Sequence, residues 1–415
     1  MYTNGNTNKK TAIFSPRITS PASASSSGKQ GKHGTAQGQM CCFGKCVKMG
    51  SSVSQPHQQN QQATAKVEQQ QERHGEQSSK NGKSTEKPQN RPSPRTPTPV
   101  HHQLETLIDE AKNSGWYIEP HEIEFQELVA EGSTARVYKG TWRGLDVAVK
   151  CIFPEYFHNN EGAVLFFTQE LDTLSRQRHR SVLQLMGACL RPPDHGWLVT
   201  EFLSTTLKEW LHGRGERGEE RTAPLPPFWE RLAKALEIAE AMQYLHDQRP
   251  MVIHRDLKPS NIFLDDAKHV RVADFGNARF LCDGEKALSG ETGKKYYYYH
   301  TYRGTFVYMA PEVTRSQPYN EKCDVFSFGI ILNELITGEY PYVETEYGPF
   351  QIASGVCGQE KLRPALPKKD GQIMKELIHL ILLSWNENPS IRPSFAKIAS
   401  TLKRIQSKPF ESIPI

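Results

Sequence analysis

Long apolar runs are missing from this chain. Nothing in its 415 residues approaches the roughly 18 consecutive apolar positions that cross a bilayer. "LIHLILLSW", Leu377 to Trp385, is too short and reads as a buried helix. The opening is polar from Met1 to Lys10, so no secretory signal is expected. Eight cysteines, at 41, 42, 46, 151, 189, 282, 323 and 357, show no metal-ligand spacing and outline no disulfide framework. A reduced, cytoplasmic setting is therefore expected. The first hundred residues also have little acidic charge and few apolar side chains. They hold fourteen Lys and Arg against four Glu, +10 on a chain of net +5, which leaves −5 on residues 101–415.

That composition cannot bury enough apolar surface to offset the entropy of ordering a backbone. Residues 1–100 are expected to be a disordered basic tail rich in Ser, Gln and Pro, with "RPSPRTPTPV" as an extended linker. Its charge reads as a solvated tail, or as attraction to an anionic membrane or an acidic partner. Its few aromatics argue against nucleic acid, which binds by stacking. "MGSSVS", Met49 to Ser54, fits the myristoylation pattern if translation starts at Met49. Otherwise Cys41, Cys42 and Cys46 are candidates for acylation.

From about Trp116 the texture changes. "FQELVAEGSTARVYKGTWRGLDVAVKCI" reads as three short strands, with Arg143-Gly144 as a hairpin turn. "EGAVLFFTQELDTLSRQ" has helical spacing that puts Phe167, Leu171 and Leu174 on one face. Strands return at "LQLMGACL" and "GWLVTEFL". Three helical stretches then dominate: "FWERLAKALEIAEAMQYLHDQ", "CDVFSFGIILNELITG" and "IMKELIHLILLSW". "GRGERGEERTAPLPP" is a polar loop between helices. A strand-rich lobe followed by a helix-rich lobe predicts an α+β, two-lobed fold.

Within this frame lie "VAVK" (Val147–Lys150), "HRDLKPSN" (His254–Asn261), "DFG" (Asp274–Gly276) and "APE" (Ala310–Glu312). Any one could be chance; the ordered set is the signature of protein kinases. Residues 118 to 405 resemble that family, which implies a kinase fold, ATP and Mg²⁺. Phosphoryl transfer needs an in-line nucleophile and charge neutralised on the phosphates. By resemblance Lys150 is the phosphate-binding cation and Glu170 its carboxylate partner, chosen over Glu161 and Asp172 because Leu174, four residues on, matches a packing position of the family. Asp256 would accept the substrate hydroxyl's proton, and Lys258 would steady the γ-phosphate. Asn261 and Asp274 are hard oxygen ligands suited to Mg²⁺. Val137, Ala148 and Phe263 match the positions that sandwich adenine, Thr200 the gatekeeper, and Glu201, Phe202 and Leu203 the hinge. His254, Phe275, Asp324 and the ion pair Glu312–Arg392 read as structural.

One element departs from the pattern. Ala130, Gly132 and Ala135 occupy the three glycine positions ahead of Val137. Backbone amides there must approach phosphate closely, at times with positive φ. Alanine at positive φ costs on the order of 1 kcal/mol, so weaker nucleotide handling is expected.

Lys258 and Gly304-Thr305 are Ser/Thr-kinase-like. "TWRGLDVAVK", "HRSVLQLMGACLRPPDHGWLVTEFL" and "YNEKCDVFSFGIILNELITGEYPY" are similar to the plant Raf-like branch of the tyrosine-kinase-like group. The label MAP-kinase-kinase kinase goes with that branch and names no substrate. Protein substrates with Ser or Thr acceptors are expected, with an upstream kinase or autophosphorylation as activator and peripheral membrane contact through the tail. The competing reading is a pseudokinase scaffold.

Between DFG and APE stands "KKYYYYHTYRG", Lys294 to Gly304. Without it the chain reads "SGETGTFVYMAPE", a continuous family-like segment, so the run reads as an insertion. Ser289 and Thr292 are the nearest phosphate acceptors outside it and Thr301 lies within it. Arg255 would receive such a phosphate.

Overall fold

A computed structural model describes residues 99–132, 134–158, 161–192, 194–219, 221–282, 305–367 and 371–408. Residues 1–98 of the tail expected over 1–100, "MGSSVS", the upstream cysteines, Ser289, Thr292 and the run 294–304 lie outside them; the last two tail positions, Pro99 and Val100, open a helix instead of ending the extended linker.

Alternating, β-branched sequence between tight turns builds the small lobe. Strands β1 (Ile123–Glu131), β2 (Ala135–Trp142), β3 (Leu145–Ile152), β4 (Leu185–Arg191) and β5 (His195–Glu201) form one antiparallel sheet in the order β1-β2-β3-β5-β4. The β2–β3 turn falls on Arg143 and Gly144, both at positive φ (51° and 80°). That geometry matches the right-handed twist of the strands it joins. Helix α1 (Pro99–Asn113) precedes the sheet, and short α2 (Pro154–His158) and α3 (Glu161–Ser175) lie between β3 and β4. Phe167, Leu171 and Leu174 of α3 are buried, as their spacing predicts. The sequence reading assigned no element to α1.

The large lobe starts with β6 (Thr205–Thr206), whose Thr206 caps α4 (Leu207–His212) in a capping box with Glu209. Then come α5 (Phe228–His246), β7 (Met251–Ile253), β8 (Ile262–Leu264), β9 (Val270–Val272) and β10 (Arg279–Leu281). After residue 305 follow α6 (Pro311–Thr314), α7 (Lys322–Thr337), α8 (Pro349–Cys357), α9 (Gln372–Ser384) and α10 (Phe395–Gln406). The fold is α+β and two-lobed.

Helix α7 is the post around which this lobe is assembled. Every residue from Cys323 to Ile336 is buried, as expected of a helix apolar on all sides. Its buried polar side chains each satisfy a loop, as desolvated polar groups must. Asp324 takes the backbone N–H groups of His254 and Arg255 at 2.9 and 2.8 Å. Ser327 donates to the Tyr308 carbonyl at 2.8 Å, and Asn333 to that of Ala365 at 3.1 Å. Glu334 meets Tyr308 OH and His212 Nε2, both at 2.8 Å. Arg392 and Glu312 form a buried bidentate pair at 2.6 and 2.9 Å.

Candidate active site

Strand β3 and helix α3 bring two charges together across twenty residues of sequence. Lys150 Nζ donates to both oxygens of Glu170, at 2.7 and 2.8 Å, and lies 3.7 Å from Asp274 Oδ1. Burial disfavours the ammonium's charge, but the two carboxylates outweigh it and hold its pKa above the ordinary value. Asp172, a rival partner on sequence, is paired with Arg176 one turn away at 2.7 Å. The side chain of Glu161 is outside the described residues.

Asp274 stands in the left-handed region (φ 63°, ψ 70°), a conformation that costs a non-glycine residue about 1–2 kcal/mol. The packing behind it holds that geometry. Phe275 is fully buried, and its ring centre is 5.1 Å from that of His254. His254 Nε2 donates to the Ala273 carbonyl at 2.9 Å while Nδ1 accepts from the Asp256 N–H at 3.3 Å. These two partners set the tautomer.

The loop between β7 and β8 carries the second cluster. Asp256 Oδ2 accepts from Lys258 Nζ at 2.9 Å and from Asn261 Nδ2 at 3.1 Å. Asn261 Nδ2 also donates to the Asp256 carbonyl at 2.9 Å. With its nitrogen so committed, the amide oxygen is what Asn261 can offer a cation. Asp256 Oδ1 is buried with no hydrogen-bond partner among the described residues. An acceptor left unmade in this way is costly, and it is suited to an incoming hydroxyl. The Ala273 N–H bonds to the Asn261 carbonyl at 2.9 Å, which ties Asn261 to the residue just before Asp274. Arg255, at φ 66°, donates to Tyr319 OH at 2.8 Å and to the Asn277 carbonyl.

Sheet register decides the face that would receive a base. Val137 pairs with Lys150, Lys150 with Leu198, and Ala148 with Thr200. Directly paired residues share a face, as do residues two apart. Val137, Ala148, Lys150 and Thr200 therefore line one side of the sheet. Phe263 is half-buried on β8, opposite Thr206. At the lobe junction Glu201 commits its N–H to the Gln184 carbonyl, and its carboxylate to the Gln184 N–H and to Arg271. Phe202 and Leu203 follow, half-buried; the Phe202 ring lies 5.0 Å from Lys139 Nζ.

The glycine-poor hairpin corrects one expectation. Neither Ala130, Gly132 nor Ala135 has positive φ, so the conformational penalty anticipated for alanine does not arise. The hairpin closes through Gly132 N–H to the Ala135 carbonyl at 2.8 Å. Ala135 is buried in a cluster with Ile152, its register partner. Its methyl is a packing group.

Sequence reasoning missed the contact of His212, Glu334 and Tyr308 beneath the segment that precedes "APE". His212 also stacks on Tyr340 with ring centres 3.7 Å apart. No local spacing signals this set, whose members lie on α4, α7 and the loop before α6.

A family profile described as the protein kinase domain matches residues 123–402. The chain is 36% identical over 291 residues to serine/threonine-protein kinase STY17 of Arabidopsis thaliana, 70% of this chain and 46% of that protein. It is 37% identical over 292 residues to STY46 of the same plant, covering 70% and 45%. To the probable serine/threonine-protein kinase drkC of Dictyostelium discoideum it is 37% identical, covering 69% and 35%. The chain thus spans less than half the length of these relatives.

Proposed function

The chain belongs to the protein kinase family, and on that premise we propose that it transfers the γ-phosphate of ATP to Ser and Thr hydroxyls of protein substrates in signalling. One observation carries the reading. Lys150 is already paired with Glu170 beside Asp274, while Asp256 keeps one buried oxygen unpartnered and the other held by Lys258 and Asn261.

Asp256 Oδ1 accepts the proton as the substrate oxygen bonds to the γ-phosphorus and the bond to the β,γ-bridging oxygen breaks, releasing ADP. Lys258, on the other oxygen of Asp256, supplies positive charge where the phosphoryl group passes. Lys150 holds the α- and β-phosphates, and Glu170 fixes Lys150. Val137, Ala148, Thr200 and Phe263 enclose the adenine, with backbone groups of Glu201 and Leu203 on its edge. Ala130, Gly132 and Ala135 lie along the phosphates. Asn261 and Asp274 suit Mg²⁺, an oxygen-seeking ion; bound there it neutralises phosphate charge. The activator is an upstream kinase or a second copy of this chain acting on Ser289 or Thr292, with Arg255 as receiver. The basic tail makes peripheral contact with membrane.

The deciding experiment incubates wild type and Asp274→Asn with Mg²⁺–ATP and a mixed protein substrate, reading phosphosites by mass spectrometry. Phospho-Ser and phospho-Thr from wild type alone are expected. Nucleotide-dependent thermal stabilisation without any transfer would replace the reading with a scaffold.

A further inference from the structure

Helix α1 lies upstream of the kinase-domain match, which starts at residue 123, yet it packs on the helix that carries Glu170. Leu104, Leu107 and Ala111 follow one another at intervals of three and four, so they share one helix face. All three are buried, at 6%, 4% and 0% exposure. They join a single apolar cluster with Val164, Phe167 and Leu171 of α3 and Leu190 and Leu198 of the sheet. Glu170 adjoins Leu171 and lies one helical turn from Phe167. A displacement of that apolar face therefore displaces the carboxylate that meets Lys150.

The link from α1 to the sheet is built with equal care. The Trp116 and Tyr117 N–H groups both bond back to the Ala111 carbonyl, at 3.0 and 3.1 Å. The chain turns at Gly115 (φ 74°) and then runs along β4. There the Ala188 N–H donates to the Trp116 carbonyl at 3.0 Å and the Ile118 N–H to the Ala188 carbonyl at 2.9 Å. Gly187 makes this approach feasible, since a Cβ there would stand 2.5 Å from both Ile118 Cδ1 and the Trp116 oxygen. Helix α1 is thus fastened to β4 at its C-terminal end and laid over α3 along its apolar face.

We propose that α1 is a positioning element for phosphoryl transfer, with Leu104 and Leu107 as positioning residues that hold α3 where Glu170 meets Lys150. The inference rests on the kinase reading for its activity arm alone.

The test uses the full chain carrying Leu107→Asp, Leu107→Met or Glu105→Pro. Glu105 is exposed, and a proline there breaks α1 from the solvent side without burying a charge. Amide exchange across residues 161–175 is expected to rise in Leu107→Asp and Glu105→Pro while Leu107→Met keeps wild-type values. Phosphate transfer at saturating Mg²⁺–ATP should fall by about 5- to 150-fold, the usual range for coupling between elements. In a Glu170→Gln background the same α1 changes should cause no further loss, because the contact they support is already gone. Equal losses in both backgrounds would reduce α1 to a general stabiliser. Loss of α1 protection with wild-type exchange in α3 would also overturn the proposal, as would loss of cooperative melting in both disruptive variants. A wild type that transfers no phosphate would defeat the kinase reading, and exchange in α3 would then decide the positioning role by itself.

Discussion

Asn in place of Asp324 isolates the contribution of α7 to the loop between β7 and β8. The carboxylate is fully buried. Its Oδ1 accepts from the Arg255 N–H at 2.8 Å; its Oδ2 accepts from the His254 N–H and from His246 Nε2, both at 2.9 Å. An amide keeps one accepting oxygen. If that oxygen faces His254 and His246, the NH₂ faces the Arg255 N–H, and a buried donor is orphaned. Losing a hydrogen bond to a charged acceptor costs about 1.5–3 kcal/mol, and an orphaned buried group about 1–3 kcal/mol. The expected loss is about 3–5 kcal/mol from a total that for a domain is about 5–15 kcal/mol. Urea unfolding of wild type and variant at neutral pH, followed by tryptophan fluorescence, measures it. The pH dependence has a definite sign. Burial pushes the Asp324 carboxyl up, but the hydrogen bond and charge of His246, with those of His254, outweigh it and leave the pKa below the ordinary Asp value. A carboxyl lowered on folding contributes stability above its unfolded pKa of about 3.9. It loses that contribution as pH falls through the folded value. The wild type should therefore shed stability below about pH 4 in a component that the Asn variant lacks. A loss under about 1 kcal/mol at neutral pH, or identical acid profiles, would refute the reasoning.

Asp256→Asn should lower phosphate transfer by at least about 100-fold, the low end for general-base loss, with an unchanged melting temperature; activity within tenfold of wild type would remove Asp256 from its role. Ala135→Gly should destabilise by about 1 kcal/mol through strand entropy and a lost buried methyl, and should not tighten ATP, as isothermal titration would record. Gly187→Ala should cost about 1–3 kcal/mol from overpacking against Ile118 and Trp116, read from thermal melts. Deleting Lys294 to Gly304 should raise activity on protein substrates more than it alters ATP affinity, as the reading of this run as an insertion ahead of Thr305 implies; steady-state kinetics with varied peptide and ATP separates the two.

Sequence alone determined the two-lobed order of elements and singled out the residues proposed to carry the chemistry within it. Both are written in short-range terms. Alternation marked β1 to β5, and 3.6-residue spacing marked α3, α5, α7 and α9. The motifs around Lys150, Asp256 and Asp274 are runs of a few residues whose spacing is itself the signal. Glu170 was legible only through a residue four positions on; what secures it is the 2.7 Å contact with Lys150, which joins elements twenty residues apart. Tertiary structure decided the rest. The alanines of the β1–β2 hairpin suggested strain because composition says nothing of φ, and the backbone shows none at those positions. Asp324 reads as structural by resemblance and Glu334 carries no signal of its own; only packing shows which groups they satisfy. Helix α1 was passed over because a short amphipathic stretch beside a polar tail has little stability of its own. Its order comes from the apolar face of α3, and a contact between residues some sixty positions apart leaves no mark in either local sequence.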